Sequence, residues 1–388
     1  MDRPALRRIL LDLIGTAHFP DLVVLDEVDW AKLSQMAAQH RLQPLLFGMH
    51  RDQVELPQSI RAEWQAAHRF AAMQALVQQA ELVECCALLA DFSPVALKGA
   101  WLATHAYPEP AQRPLRDLDL LVAPEAVIPA FETLQAAGYT LARTSEMALG
   151  DVVRLDKHMP PLIAPRGTVI ELHHRLWERD GRLDHASPVR DEAAVRRRAV
   201  EAGGIRYPAP QDLLNHLIVH AVYGHRLDCG PLILADIDYL LRTAPVDWLQ
   251  FWAEAVASGW RDGARLMLEL TLSFRPDAEI DFSADPGTPA PADLLAVAPD
   301  LLLQDLDTRA SAGFAAATLK GGSAGLAARV LGRSKVKGET AVTRDMSGEG
   351  GFLGWAGSRA LRSLKDLAQA DVRRQSRQLA ALSKWLDQ

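Results

Sequence analysis

Cysteine is scarce in this chain of 388 residues, which contains only Cys85, Cys86 and Cys229. Three cysteines without a Cys-x-x-Cys spacing give neither a disulfide framework nor a zinc motif of that kind. Long apolar runs are also missing, since none reaches the roughly 18 residues that span a bilayer. The N-terminal apolar run is interrupted at Asp12, which indicates an amphipathic helix rather than a signal peptide. We therefore expect a cytoplasmic protein with no membrane partner.

A large excess of charge of one sign is absent as well. The chain has 42 Lys and Arg against 49 Asp and Glu, a net charge of −7. This balance argues against a protein whose whole surface binds nucleic acid. Basic residues do gather near the C-terminus, where residues 333–388 contain 11 Lys and Arg against 6 Asp and Glu. We expect a C-terminal amphipathic helix there that is solvated, docks on the protein, or binds RNA or a protein acceptor.

Hydrophobic spacing divides the chain into four regions. Residues 1–92 are predicted to be helical, with one long helix, free of Gly and Pro, over Ser59–Phe92. Residues 93–180 alternate short apolar runs with turns and one helix, which predicts a core of four or five strands. Residues 181–275 return to a helical pattern, and residues 276–388 are interpreted as a linker and a basic helical extension. The prediction is an α+β fold with a small α/β core flanked by helical N- and C-terminal regions.

Two carboxylates lie one residue apart in a predicted strand of this core. The strand reads DLDLLV, with Asp117 and Asp119 at positions i and i+2. Such residues point to the same face of a strand, roughly 6.6 Å apart. Two like charges at this distance raise one of the two pKa values unless a cation neutralises them. Mg²⁺ suits this position because it binds one or two carboxylates together with substrate phosphates, and Mn²⁺ is an alternative.

A third acid, Glu171, interrupts the apolar strand predicted at TVIELHH. A neighbouring strand can bring it beside the first two acids, so that three carboxylates hold metal for a phosphoryl transfer. Asp156 is a rival, since it lies in the segment Asp151–Met159, which also reads as a strand. Alternatively, Glu171 faces solvent and pairs with Arg175 or Lys157. His173 shares the face of Glu171 and is a candidate neighbour of the active site.

The residues just before the acid strand suggest a phosphate side to the site. Gly99 follows the first predicted strand and opens a short helix, where the backbone approaches a ligand closely and free N–H groups face phosphate oxygens. Lys98 either adds a positive charge near phosphate or forms a buried salt bridge with one of the acids. Arg113 and Arg116 precede the acid strand, within reach of a triphosphate; the alternative is that they are solvated.

Two histidines four residues apart, His216 and His220, share one helical face. This spacing also occurs in zinc sites, but no third ligand has a clear spacing. We interpret the pair as histidines of a helix core.

The order of three segments, LKGAWL, RPLRDLDLLV and VIELHHRLW, resembles the uncharacterised nucleotidyltransferase family of the polymerase-β-type superfamily. The segments LQPLLF, DLLNHLIVHAVYGH and LADIDYLL are similar to the family's helical parts. The resemblance covers residues 25 to 275 approximately. It implies a polymerase-β-like core and metal-dependent transfer of a nucleoside monophosphate from an NTP, with release of pyrophosphate.

The resemblance also implies roles for individual residues. Asp117 and Asp119 would hold the metal ions, Glu171 would complete the metal site and help to activate the acceptor, and Gly99 would lie at the triphosphate. One departure is that the usual Gly-Ser or Gly-Gly turn is Lys98-Gly99-Ala100 here. The acceptor stays open between a small molecule, a peptide or protein, and RNA. Two alternatives are a non-catalytic nucleotide-binding scaffold and a toxin-like transferase that acts on tRNA.

Overall fold

The computed structural model describes residues 1–17, 19–52, 55–142, 147–177, 192–313, 315–316, 319, 366 and 368–387. The helices are α1 (Arg3–Ile14), α2 (Glu27–Gln39), α3 (Gln43–His50), α4 (Gln58–Leu88), α5 (Gly99–Trp101), α6 (Val127–Ala136), α7 (Leu149–Leu155), α8 (Glu192–Arg198), α9 (Pro210–Val219), α10 (Leu232–Thr243), α11 (Trp248–Ala257), α12 (Arg261–Phe274), α13 (Ala292–Leu302) and α14 (Ala370–Leu386). The strands are β1 (Val95–Ala96), β2 (Asp117–Leu121), β3 (Thr140–Leu141), β4 (Leu162–Ile163), β5 (Val169–His173), β6 (Val200–Ala202) and β7 (Ile205–Tyr207). The fold is α+β, as predicted.

Helices α1 to α4 form the N-terminal region. Two of them begin after an aspartate, because the Asp2 carboxylate accepts a hydrogen bond from the Ala5 N–H and Asp26 accepts one from Asp29. These bonds satisfy backbone donors that have no partner within the helix. The long helix predicted over Ser59–Phe92 is confirmed as α4. It packs against α3 and lies beside α6 of the following core.

Five strands form one sheet in the order β1-β2-β5-β4-β3. The central pair, β2 and β5, is parallel, and the other neighbours are antiparallel. Alternate residues of the central pair, Leu118, Leu120, Ile170 and Leu172, are buried in the main apolar core. The opposite face of the same two strands therefore presents the polar residues. The predicted strands at DLDLLV and TVIELHH are confirmed.

The strand predicted over Asp151–Met159 is wrong. This segment contains α7 and then an irregular stretch that touches β5 through a single bridge between His158 and His173. An apolar run this short does not distinguish helix from strand by its periodicity. Arg154 pairs with Asp151 one turn earlier, which the helix allows. As a consequence, His158 follows the helix and lies beside the polar face of the sheet.

The segment after Arg275, interpreted from its Pro and Asp content as a linker, is attached to the helices before it. The Trp252 indole N–H donates to the Asp281 carbonyl at 2.9 Å. Arg261 of α12 pairs with the fully buried carboxylate of Asp285. These contacts give the segment 276–291 a defined path over α11 and α12.

The last described helix, α14, packs on α13, which in turn contacts α1. Arg7 of α1 is 2% exposed and pairs with Asp371 at 3.0 Å and with Asp300 at 3.9 Å. The basic helix predicted at the C-terminus is thus docked over the part that is described. Residues 320–365 of the predicted linker and extension lie outside the described residues, and the four region boundaries stay predictions. Among the described helices, none combines the length and apolarity that crossing a membrane requires.

Candidate active site

The two acids of β2 meet positive partners on the polar face of the sheet. Asp119 is 7% exposed and Asp117 is half-buried. The Lys98 ammonium lies 3.1 Å from Asp119 Oδ2, and the His173 Nε2 lies 2.8 Å from Asp119 Oδ1. These contacts neutralise a carboxylate that would otherwise be costly to bury.

The parallel register of β2 and β5 brings the third acid to the same place. Asp119 lies directly beside Glu171, and Leu121 beside His173. Because paired residues of neighbouring strands share a face, Glu171 and His173 lie on the face of the two aspartates. Asp119, Glu171 and His173 each offer a ligand atom, and these atoms lie within 4.8 Å of one another. Carboxylate oxygens and an imidazole nitrogen form a donor set that divalent metals accept.

The charges of this cluster act on its acids in opposite directions. Burial and the carboxylates of Asp119 and Glu171 raise the pKa of Asp117 to about 6, against the opposing charge of Lys98. Burial alone would also raise the pKa of Asp119, but Lys98 and His173 outweigh it and hold this pKa well below its usual value. Asp117 is therefore the acid whose charge lacks compensation.

His173 connects the acids of the two strands. Its Nε2 lies 3.5 Å from Glu171 Oε2 and within hydrogen-bond distance of Asp119. Burial on its own would lower the pKa of His173, but the bonds to Asp119 and Glu171 raise it. Burial likewise would raise the pKa of Glu171, which His173 and His158 lower. The raised pKa therefore favours a positive charge on His173 beside the two carboxylates.

Lys98 reaches Asp119 from a strained backbone. Its φ is 47° and its ψ is −115°, close to the first central residue of a type II′ turn, where glycine is usual. The Ala100 N–H donates to the Leu97 carbonyl across this turn at 3.4 Å. Positive φ at a non-glycine residue costs free energy and is found most often at functional sites.

Gly99, predicted at the triphosphate, follows Lys98 at a position with little space for a side chain. A Cβ atom at Gly99 would lie 2.6 Å from Leu115 Cδ2 and 3.4 Å from Arg113 Nη1. The absence of a side chain therefore lets the short helix α5 pack against the loop that precedes β2. The helix that begins here is α5, of three residues, followed by a π-helical turn, Leu102–Ala106.

Arg113 and Arg116 lie in the same loop but in different surroundings. The Arg113 guanidinium donates two hydrogen bonds to Asp236 of α10, at 2.7 and 2.8 Å, and a third to the Pro114 carbonyl. The exposed Arg116 adds its positive charge to the surroundings of Asp117. Of the two, Arg113 is thus the one held by a carboxylate of the C-terminal helices.

Asp156, the rival of Glu171, and Arg175, its alternative partner, are not members of the group formed by Asp119, Glu171 and His173. Asp156 Oδ1 is 3.8 Å from His158 Nε2 and accepts a hydrogen bond from the Lys157 N–H. Arg175 donates to backbone carbonyls, including that of Asp156. The cluster includes one residue that sequence reasoning missed, His158, whose Nε2 lies 3.8 Å from Glu171 Oε2. The spacing of residues in Asp151–Met159, which predicts a strand, does not indicate that His158 lies near the acids.

The sequence model of one protein family, described as uncharacterised nucleotidyltransferase, matches residues 26–275. The chain belongs to this nucleotidyltransferase family. The match confirms the resemblance stated from the sequence and covers α2 to α12, with the sheet and its acid cluster. A search of curated proteins finds no match, and a search of solved structures finds none either. Helices α13 and α14 lie beyond the residues that the family model matches.

Proposed function

We propose that the protein transfers a nucleoside monophosphate from an NTP to an acceptor hydroxyl or similar group in the cytoplasm. The acceptor oxygen attacks the α-phosphorus, the bond from this phosphorus to the bridging oxygen breaks, and pyrophosphate leaves. Glu171 accepts the acceptor proton in this assignment. The observation that carries the proposal is the register of β2 and β5, which sets Asp119 beside Glu171 with Asp117 on the same face.

The donor set fits a divalent cation, Mg²⁺ or alternatively Mn²⁺. Asp117, Asp119 and Glu171 would hold it, with His173 as a neighbour that contacts two of them. When bound, the cation neutralises phosphate charge and lowers the pKa of an attacking hydroxyl. Lys98 and Arg116 add positive charge near the position of the phosphates, which stabilises the charge of the transition state.

The double substitution Asp117→Ala with Asp119→Ala tests this assignment. We expect complete loss of pyrophosphate release from Mg²⁺ and NTP in the presence of a cell extract that supplies acceptors, with the circular dichroism spectrum unchanged. Asp151→Ala, which removes an exposed carboxylate from α7, is the matched control and should be as active as the wild type. Undiminished release in the double variant would contradict the proposal. Mass spectrometry of the same extract with labelled ATP identifies the acceptor, whether small molecule, protein or RNA.

One observation favours a second candidate, a non-catalytic nucleotide-binding scaffold. Both oxygens of Asp119 already have partners, Lys98 and His173, which balance the charge of this carboxylate without a metal ion. The scaffold predicts that calorimetry detects binding of Mg²⁺ and NTP while no acceptor in the extract gains a nucleotide. Labelled tRNA in the same assay tests the third candidate, a toxin-like transferase.

A further inference from the structure

Two histidines turn the same ring nitrogen toward the acids of the sheet. His173, the last residue of β5, is 2% exposed, and its Nε2 lies 2.8 Å from Asp119 Oδ1 and 3.5 Å from Glu171 Oε2. His158 follows α7, and its Nε2 lies 3.8 Å from the same oxygen of Glu171. The centroids of the two imidazole rings are 5.1 Å apart. Two carboxylates and two imidazoles, from β2, β5 and the stretch after α7, therefore lie together on the polar face.

The other nitrogen of each ring contacts the backbone. His158 Nδ1 lies 2.8 Å from the Met159 carbonyl oxygen, and His173 Nδ1 lies 3.4 Å from the carbonyl oxygen of Arg175. A carbonyl oxygen only accepts hydrogen bonds, so each Nδ1 carries a proton, and the neutral ring then has a free electron pair on Nε2. Metal-binding histidines are oriented in this way, with one nitrogen on the metal and the other donating to a carbonyl or carboxylate. Both rings thus present Nε2 as the atom that can bind a metal ion.

The separations between these atoms suit one metal ion. At metal–ligand distances of about 2.1 Å, neighbouring ligand atoms lie about 3.0 Å apart in an octahedral site and about 3.4 Å apart in a tetrahedral one. His173 Nε2, at 2.8 and 3.5 Å from the two carboxylates, matches this spacing, and His158 Nε2, at 3.8 Å from Glu171, would have to move slightly closer. Lys98 pairs with Asp119 Oδ2 and leaves Oδ1 to the ion. The proton on His173 Nε2 would leave as a metal binds.

We infer that His173 and His158 bind the cation directly, together with Asp119 and Glu171, and that the site selects a divalent transition-metal ion over Mg²⁺. This inference rests on the proposed function, which places a divalent cation at these acids, and it names the class of that cation. Imidazole nitrogen is a ligand of transition metals, whereas Mg²⁺ takes oxygen ligands and keeps several waters. Mn²⁺ is the suitable probe, because it is a transition-metal ion that also accepts carboxylates.

Mn²⁺ added to the full-length protein tests the inference without reference to catalysis. Electron spin echo envelope modulation of the bound Mn²⁺ detects coupling to nitrogen nuclei and thus a directly bound imidazole, and calorimetry gives the affinities for Mn²⁺ and Mg²⁺. The variant His158→Gln removes the more accessible ring. Asp156→Asn is its matched control, because Asp156 Oδ1 also lies 3.8 Å from His158 Nε2. His173→Gln tests the buried ring, and thermal unfolding checks that each variant is folded.

We expect nitrogen coupling in the wild type and an affinity for Mn²⁺ at least about tenfold higher than for Mg²⁺. His158→Gln should weaken Mn²⁺ by about tenfold to a hundredfold and leave the affinity for Mg²⁺ unchanged, while Asp156→Asn should match the wild type. Bound Mn²⁺ without nitrogen coupling, equal affinities for the two cations, or an unchanged affinity for Mn²⁺ in His158→Gln would overturn the inference. Nucleotidyl transfer with carboxylate ligands alone would survive these results. Nitrogen coupling in a protein that transfers no nucleotide would support the metal site and contradict the proposed function.

Discussion

The pair between Arg113 and Asp236 fastens the loop before β2 to the C-terminal helices, and its removal gives a quantitative prediction. The Asp236 carboxylate is 3% exposed and accepts hydrogen bonds from the guanidinium at 2.7 and 2.8 Å and from the Tyr107 hydroxyl at 2.7 Å. Asp236→Asn leaves the guanidinium of Arg113, whose side chain is only 17% exposed, without its counter-charge. Breaking a buried pair from one side costs about 3–5 kcal/mol in the free energy of unfolding.

A double-mutant cycle measures this coupling. We expect Asp236→Asn and Arg113→Met each to lower the free energy of unfolding by about 3–5 kcal/mol. The double variant should lose less than the sum of the two, because it contains neither an unpaired cation nor an unpaired anion. Urea unfolding followed by tryptophan fluorescence gives these values. A double variant that loses the full sum would refute the idea that the two groups act as one pair.

The same variants test the predicted role of Arg113 in nucleotide binding. If the guanidinium acts through Asp236 alone, Asp236→Asn and Arg113→Met will change the affinity for Mg²⁺ and ATP equally under conditions where both are folded. If Arg113 also contacts phosphate, Arg113→Met will weaken the affinity by at least a further tenfold, the loss of one charge-assisted contact. Calorimetry at low temperature distinguishes the two results.

Three further predictions concern the framework of the site. Glu81→Ala should lower the free energy of unfolding, measured in urea, by about 2–4 kcal/mol. The buried Glu81 carboxylate accepts hydrogen bonds from the backbone N–H groups of Arg166 and Thr168, which the substitution leaves without this partner. A smaller loss than in Glu84→Ala would contradict this. Lys98→Gly should be more stable than Lys98→Met by about 1–3 kcal/mol, since only glycine is unstrained at a φ of 47°; equal midpoints would argue against strain. With a chelator present, the free energy of unfolding of Asp117→Asn should exceed that of the wild type by up to about 3 kcal/mol as the pH rises from 4 to 7. The reason is that the pKa of Asp117 is raised to about 6 in the folded state, so ionisation of this carboxylate at higher pH destabilises the wild type. An equal difference already present at pH 4 would contradict the titration of Asp117.

The polar face of the sheet could be predicted from the sequence because its signals are local. Alternation places Asp117 and Asp119 on one face of the strand DLDLLV, and it places Glu171 and His173 on one face of the strand VIELHH. Alternation does not predict that β2 and β5 are neighbours, because neither segment indicates the strand with which it pairs. The family resemblance supplied this adjacency, and the observed register agrees with it.

Other features depend on contacts between residues far apart in the chain. Arg113 finds its partner 123 residues later, so its loop position alone favoured a nucleotide contact. The turn before α5 contains a glycine, which drew attention to Gly99, yet the strained residue is Lys98. A sequence pattern indicates which residue tolerates a positive φ, here the glycine. The packing around Leu115 and Asp119 decides which residue has the strained conformation.

Lys98 interacts with two separate parts of the chain. The acids lie on β2 and β5, and His225 lies in the segment that follows α9. Lys98 acts on both, because its ammonium pairs with Asp119 while its charge lowers the pKa of His225. The unfavourable φ of Lys98 therefore coincides with a pair between its ammonium and a nearly buried carboxylate, as expected where backbone strain is retained for a functional contact.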